Sequence, residues 1–285
     1  MDMKKEILKS RGAAEVLLAA LITARATSYM FSKLLLETMG QFTLLGLRSL
    51  LAFAVLLAIS FKYLKATKKE DVTYGILVGA CLFTVMCLEL SGLKHTSSVS
   101  VSFEENMAVI FVPILLAVIN RKLPSRKTVA AVSMSAVGIA LLKLNPEGFD
   151  FNIGDLYGIL SAVAYAATII LISRIGGKGD PLRIGIYQVG TIGVLAMAAA
   201  FIFETPALPA AGMEWGYLLY LAIVCSVFGF TLQPYAQSRT TAERAGMLCA
   251  LNPVTAAVLG MVFLGETMTA KGILGAVLIV AGILL

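Results

Sequence analysis

The sequence predicts an all-α membrane protein with ten transmembrane helices arranged as two inverted five-helix repeats. The first observation is composition: of 285 residues, 59% are hydrophobic and 14% are charged, with a mean hydropathy of +0.89. A soluble domain carries about 25% charged residues. The second observation is that apolar windows of about 20 residues, enough to span a ~30 Å hydrocarbon core, recur along the whole chain. The third observation is an internal repeat.

Polar breaks divide the chain into ten apolar segments. They cover residues 14–36, 41–61, 72–93, 98–120, 127–144, 154–176, 182–204, 213–236, 243–264 and 269–285. Each segment has the length and composition of a membrane-spanning helix. The loops between them are too short for a soluble domain. We therefore expect two units of five helices each, residues 1–145 and residues 146–285.

Basic residues fall almost entirely in alternate loops. Seventeen of the 23 lysines and arginines precede the first segment or lie in the even-numbered loops, whereas the odd-numbered loops hold only Lys94, Lys143 and Lys271. Loops rich in Lys and Arg remain in the cytoplasm. The bias predicts that both termini are cytoplasmic. It also accounts for the net charge of +6 without a nucleic-acid partner.

The two halves of the chain resemble each other weakly. A shift of 144 residues places Cys81 on Cys225, Thr96 on Thr240 and Gly138 on Gly282. Because each half has an odd number of segments, the second half must enter the membrane inverted relative to the first. Inverted repeats underlie alternating access, with the substrate site near the midplane. The pattern favours a transporter, and the alternative is a duplicated membrane scaffold that transports nothing.

Charged side chains well inside the apolar segments all belong to the first half. They are Arg25, Lys33, Arg48, Glu89, Glu104 and Glu105. A charge at mid-bilayer costs about 2.5–3.5 kcal/mol on insertion scales, and such residues usually line a water-filled pathway. The alternative is that these three positive and three negative groups pair as buried or snorkelling salt bridges with a structural role alone.

Glu104 and Glu105 differ in direction by about 100° on a helix, so they cannot both face one cavity. The stripe at helical spacing that contains Glu104 also contains Ser97, Ser100, Ala108 and Phe111. We interpret this stripe as the pathway face, and expect Glu105 to turn toward a neighbouring helix that supplies an arginine. Glu104 would then hold a substrate ammonium group or a coupling proton, with Arg48 or Arg25 as its electrostatic counterweight.

The second half offers uncharged polar groups at comparable places. Gln233, which the repeat aligns with Glu89, precedes Pro234, and Asn252 precedes Pro253. A proline frees a backbone carbonyl one turn earlier, which can bind a ligand or water, although both prolines could equally serve as kinks for packing. Three tyrosines are further candidates for the cavity lining, or else interfacial anchors. They are Tyr29, Tyr157 and Tyr165.

Enzyme and cofactor motifs are missing from the sequence. It has no Gly-rich phosphate loop, no Ser–His–acid set and no metal-ligand spacing. We therefore expect neither an enzyme nor an ATP-driven pump, and no cofactor or metal. The four cysteines lie in apolar segments, which predicts free thiols.

The last fifty residues carry a signature of their own. The stretch "YAQSRTTAERAGMLCALNPVTAAVLGMVFLGETMTAKGILGAVLIVAGILL" combines a Pro-containing helix, an "LGE" turn at Leu264–Glu266 and a Gly-rich closing helix, and "LLGLRSLLAFAVLL" contains Arg48. These features resemble the EamA-domain family of the drug/metabolite transporter superfamily. The first half departs from the pattern, with "EENMAVIFVP" opposite "ALNPVTAAV".

The resemblance implies a ten-helix, two-repeat secondary transporter of the plasma membrane that moves small organic solutes and often exports amino acids or related metabolites. The expected substrate is a small polar metabolite, an amino acid or an amine-bearing compound, with the proton as a candidate coupling ion. A multidrug-type exporter of organic cations is the alternative.

Overall fold

The computed structural model describes residues 11–96, 98–143, 152–210, 212–252, 254–255 and 270–285, and the regular structure in these ranges is helical. The helices are α1 (Arg11–Ala26), α2 (Ser28–Leu35), α3 (Gln41–Leu64), α4 (Lys69–His95), α5 (Ser98–Glu105), α6 (Ala108–Asn120), α7 (Arg126–Lys143), α8 (Ile153–Ile175), α9 (Pro181–Phe203), α10 (Gly212–Tyr220), a π-helix (Leu221–Phe230), α11 (Thr231–Gln237), α12 (Ala242–Cys249) and α13 (Ala270–Leu284).

Among the described residues, six helical stretches are long and apolar enough to cross a membrane. They are Gly12–Leu35, Gln41–Leu64, Lys69–His95, Ile153–Ile175, Pro181–Phe203 and Gly212–Gln237. Two shorter apolar helices cover Ala108–Asn120 and Ile273–Leu284. The protein is therefore an all-α, multi-pass membrane protein. The total of ten spans stays a prediction.

Two of the expected spans are interrupted. Thr27 separates α1 from α2, and Asn106 with Met107 separates α5 from α6. Other helices begin where the sequence supplies a cap. The side chain of Asn152 accepts hydrogen bonds from Gly154 N (2.7 Å) and Asp155 N (3.2 Å) at the start of α8. Such side chains satisfy backbone donors that a first helical turn leaves without partners.

Helices of the first half pack mainly against helices of the second. The most extensive pairs are α3 with α9 and α7 with α13. In the second pair, a Cβ atom on Gly138 would lie 2.5 Å from the Gly275 carbonyl oxygen, and one on Gly282 would lie 2.8 Å from that of Ala131. The two glycines that the internal repeat aligns thus occupy matching positions on opposite sides of one contact, where only glycine lets the backbones approach.

Acidic side chains join the halves at both ends of α9. At one end, Glu204 accepts hydrogen bonds from Thr43 N (2.9 Å) and Phe42 N (3.1 Å), the free donors of α3. At the other end, Asp71 Oδ1 accepts from Asp180 N (2.7 Å), and Asp71 Oδ2 lies 3.4 Å from Arg183 Nη1. A carboxylate at a helix N-terminus satisfies backbone donors and the helix dipole together.

Candidate functional site

Charged, polar and aromatic side chains from both halves meet in the interior of the protein. We call this group the central cluster. Its members are Arg25 on α1, Tyr29 on α2, Arg48 on α3, Glu89 on α4, Glu105 on α5, Tyr165 on α8, Phe230 at the end of the π-helix and Gln233 on α11. Each is at most 9% exposed. The cluster contains two arginines and two glutamates, so its basic and acidic side chains are equal in number.

Arg25 joins the two halves within the cluster. Its Nη1 donates to Tyr165 Oη (2.8 Å) and to Gln233 Oε1 (3.1 Å), and its Nη2 lies 3.9 Å from Glu105 Oε1. The guanidinium carbon stands 4.0 Å from the centre of the Phe230 ring, within the range of a cation–π contact. Both terminal nitrogens of Arg25 are therefore engaged, three of the four partners lying in the second half.

Glu105 is held by groups from two other helices. Tyr29 Oη donates a hydrogen bond to Glu105 Oε2, and Arg25 faces the other oxygen. Glu104 lies elsewhere: a Cβ atom on Gly158 of α8 would overlap its carboxylate. The structure thus places Glu105 in the central cluster and Glu104 at the contact between α5 and α8. Glu105 thus turns toward an arginine on a neighbouring helix, as expected from the sequence, and a role for Glu104 on the pathway stays a prediction.

Arg48 has few partners. Its Nη2 lies 3.9 Å from Met86 Sδ, while Nε and Nη1 are buried without a hydrogen-bond partner in the described part of the chain. Its guanidinium carbon is 5.9 Å from the centre of the Phe230 ring. Among the described residues Glu89 has no hydrogen bond or ion pair either, and Glu105, Arg48 and Arg25 are its charged neighbours. A glutamate and an arginine with unused donors thus share one buried site.

The last two residues of the π-helix Leu221–Phe230 pack against the central cluster. Gly229 lies against the aliphatic part of Arg25, where a Cβ atom would be 2.8 Å from Arg25 Cγ. The next residue, Phe230, places its ring beside both guanidinium groups. Thr231 Oγ1 donates to Ser226 O, five residues earlier (3.2 Å). Wide helical turns of this kind are frequent at functional sites. Sequence reasoning missed Phe230, and the neighbouring glycine was the available sign.

Two other predicted groups lie outside the contacts of the cluster. Asn252 is 6% exposed, and its Oδ1 has no hydrogen-bond partner among the described residues. Lys33 Nζ donates to the carbonyl oxygens of Leu93 (2.5 Å) and Thr96 (2.6 Å), and so joins α2 to the end of α4. All four cysteines are free, as the sequence predicted. Within the described ranges, no three His, Cys, Asp or Glu side chains come together in a way that could hold a metal ion.

Comparison with known proteins identifies the family. The model of the EamA-like transporter family matches residues 11–144 and again residues 152–285. The chain belongs to the EamA-like transporter family. Among its EamA-like relatives, an uncharacterized transporter of Bacillus subtilis, YetK, is 27% identical, covering 97% of this chain and 87% of the relative.

Two further similarities concern a named exporter and a solved structure. The threonine/homoserine exporter RhtA of Escherichia coli is 26% identical, covering 77% of this chain and 73% of the exporter. A solved crystal structure matches with a TM-score of 0.76 at 19% identity, covering 96% of both chains, which establishes similarity of fold. The EamA-like chain is thus a membrane transporter by family, and its central cluster lies where helices of the two family matches meet.

Proposed function

We propose that the protein is a secondary transporter that exports a small polar metabolite, an amino acid or an amine-bearing compound, across the plasma membrane by alternating access. The observation that carries this proposal is the central cluster. Arg25 of the first half contacts Tyr165, Gln233 and Phe230 of the second half. A movement of one half against the other would break and remake these contacts. Substrate sites of transporters built from repeats lie at such an interface.

The proposed architecture follows the sequence pattern. Residues 1–145 and 146–285 would form the two inverted repeats, with both termini in the cytoplasm. The matching positions of Gly138 and Gly282 in the contact between α7 and α13 support the relation between the halves. The contacts of Glu204 and of Asp71 at opposite ends of α9 are suited to close one side or the other of the site.

The chemistry of the cluster favours a solute with an amino group. Glu89 and Glu105 offer negative charge to an ammonium group or to a coupling proton. Burial in a low-dielectric site strengthens such an interaction and makes an unpaired charge costly. RhtA, a relative at 26% identity, is named for the export of two amino acids, which supports the same substrate class here.

The alternative, an exporter of organic cations, has less support from the site. Such cations are commonly held by open aromatic faces. In the central cluster, the guanidinium of Arg25 already stands 4.0 Å from the centre of the Phe230 ring and 5.3 Å from that of Tyr165. A second cation on either ring would be repelled by this fixed positive charge.

Efflux from vesicles tests the proposal. Purified protein would be placed in liposomes loaded with radiolabelled threonine, homoserine or an amine, with and without a pH gradient. We expect efflux of at least one of these solutes from vesicles with the parent protein, and at least ten-fold slower efflux with Glu89→Gln. Glu70→Gln is the matched control, since Glu70 is exposed in the first turn of α4, the helix that carries Glu89. If every solute leaves no faster than from loaded liposomes without protein, the result favours a membrane scaffold that transports nothing.

A further inference from the structure

We propose that Arg48 and Glu89 form a dipolar subsite, in which Arg48 binds the carboxylate and Glu89 the ammonium group of a zwitterionic substrate. The inference rests on the proposed function and narrows its substrate class to α-amino acids. Simple amines and polyamines, which lack the carboxylate, would bind poorly. Arg48 lacks oxygen partners among the described residues, whereas Arg25 and Glu105, the other charged pair, are hydrogen-bonded to protein groups.

Arg48 is a buried cation with unused hydrogen-bond donors. It is 1% exposed, its Nε and Nη1 have no partner in the described part of the chain, and its Nη2 has a sulfur atom at 3.9 Å. Leaving buried donors of a charged group unsatisfied costs free energy. The guanidinium presents parallel N–H groups that match the two oxygens of a carboxylate. The parallel donors are Nε with Nη2 and Nη1 with Nη2, so a carboxylate on either fork would satisfy one free nitrogen together with Nη2, for which the sulfur at 3.9 Å is a weak acceptor.

Glu89 lies on the same helical face as the residue that contacts Arg48. Met86 and Glu89 are three residues apart on α4, and side chains at that spacing are neighbours on the helix surface. Glu89 is 4% exposed, and Arg48 is one of its charged neighbours. Among the described residues no ion pair joins the two, and Nε and Nη1 of Arg48 have no hydrogen-bond partner, so Arg48 keeps donors for a third group. An amino acid carries both complementary charges on adjacent carbon atoms.

The second charged pair of the cluster is already occupied. Arg25 contacts Glu105, Tyr165 and Gln233, and Glu105 also accepts from Tyr29. A substrate would have to displace these protein partners to bind there. Arg25 Nε and Glu105 Oε1 lack a hydrogen-bond partner among the described residues, but Arg25 Nη1 and Glu105 Oε2 are hydrogen-bonded to the protein. Arg48, in contrast, has no oxygen partner in the described part of the chain.

Binding of matched ligands tests the subsite. The melting temperature of the purified full-length protein would be measured with neutral α-amino acids, including threonine and homoserine, each beside the amino alcohol in which CH₂OH replaces the carboxylate. A ligand that binds the native state raises the melting temperature. We expect the parent to bind at least one amino acid at least ten-fold more tightly than its amino alcohol. In Arg48→Gln this ratio should fall to near one, with weaker binding of the amino acid.

Three further variants separate binding from folding. Arg48→Lys keeps the positive charge but lacks the paired N–H donors of the guanidinium, and should give an intermediate ratio of amino-acid to amino-alcohol binding. Glu89→Gln should lose the preference for the amino acid over the hydroxy acid in which OH replaces the ammonium group. Arg126→Gln, at an exposed position at the start of α7, is the control and should keep the parent's ratios. Ligand-free Arg48→Gln should melt no more than a few degrees below the parent, because Arg48 loses no protein hydrogen bond to oxygen.

The outcomes distinguish this inference from the proposed function. The dipolar subsite is wrong if the parent binds or exports an amino alcohol equally well as the matching amino acid, or if Arg48→Gln keeps the parent's binding ratio. In either case the proposed transport function is unaffected. A large fall in the melting temperature of ligand-free Arg48→Gln would also overturn it. If no solute of the panel binds or leaves loaded vesicles, the proposed function fails and the subsite fails with it.

Discussion

Replacing Arg25 by methionine should destabilise the protein far more than the same replacement of Arg48. Arg25 loses hydrogen bonds of 2.8 and 3.1 Å to Tyr165 and Gln233, and Glu105 keeps only Tyr29 as a partner in the described residues. Removing one member of a buried ion pair costs about 3–5 kcal/mol, because the other charge stays buried. Arg48→Met instead removes a cation with two unsatisfied nitrogens, so we expect a change near zero.

Thermal unfolding of the detergent-purified variants measures this difference. A loss of 3–5 kcal/mol corresponds to a fall in melting temperature of roughly 10 °C for a chain of this size. For Arg48→Met we expect a shift within about 3 °C. The double variant Arg25→Met/Glu105→Leu should recover much of the loss, since replacing a whole buried ion pair by apolar groups is often neutral. Tyr29 would still lack its acceptor, so recovery should be incomplete.

Two results would refute the reasoning. Equal destabilisation by Arg25→Met and Arg48→Met would mean that the hydrogen bonds of Arg25 carry no more weight than the sulfur contact of Arg48. A double variant less stable than Arg25→Met alone would mean that the unpaired, buried charge of Glu105 is not what destabilises the Arg25→Met variant.

Three other expectations concern topology, movement and packing. A cysteine at Lys68 should react only with reagents added from the cytoplasmic side and one at Gly148 only with reagents added outside; the reverse pattern would overturn the orientation. Spin labels at the adjoining ends of α4 and α5 should separate when those near the junction of α11 and α12 approach, and distances unchanged by ligand would favour the scaffold. Gly138→Leu should cost about 1–3 kcal/mol through overpacking against α13, whereas Gly212→Ala, with nothing within 4 Å of its added Cβ, should not alter the melting temperature.

Hydrophobicity and capping chemistry predicted most of the fold. The helices begin and end close to the expected segments because the polar residues that bound them also cap them, as Asn152 and Asp180 do. The interruptions at Thr27 and at Asn106 were not foreseen. They lie inside apolar stretches, where a change of helix direction leaves hydropathy unaltered.

The membership of the central cluster was harder to predict than its existence. The six intramembrane charges were found from sequence, and four of them meet in the structure. Which of Glu104 and Glu105 points inward depends on the rotation of α5, and both acids are buried, so exposure does not separate them. Phe230 depends on the π-helix before it, whose composition is as apolar as that of an ordinary span.

The hydrogen-bond partners of Arg25 are synthesised long after Arg25 itself. Gln233 lies 208 residues after Arg25 and Tyr165 lies 140 residues after it. At 5–20 residues per second, Arg25 leaves the ribosome roughly 10–40 s before Gln233 exists. During that interval the arginine must be sheltered by water, by lipid headgroups or by the insertion machinery. The first half made alone would keep this need permanently, so the halves expressed as separate chains should accumulate only when they are produced together.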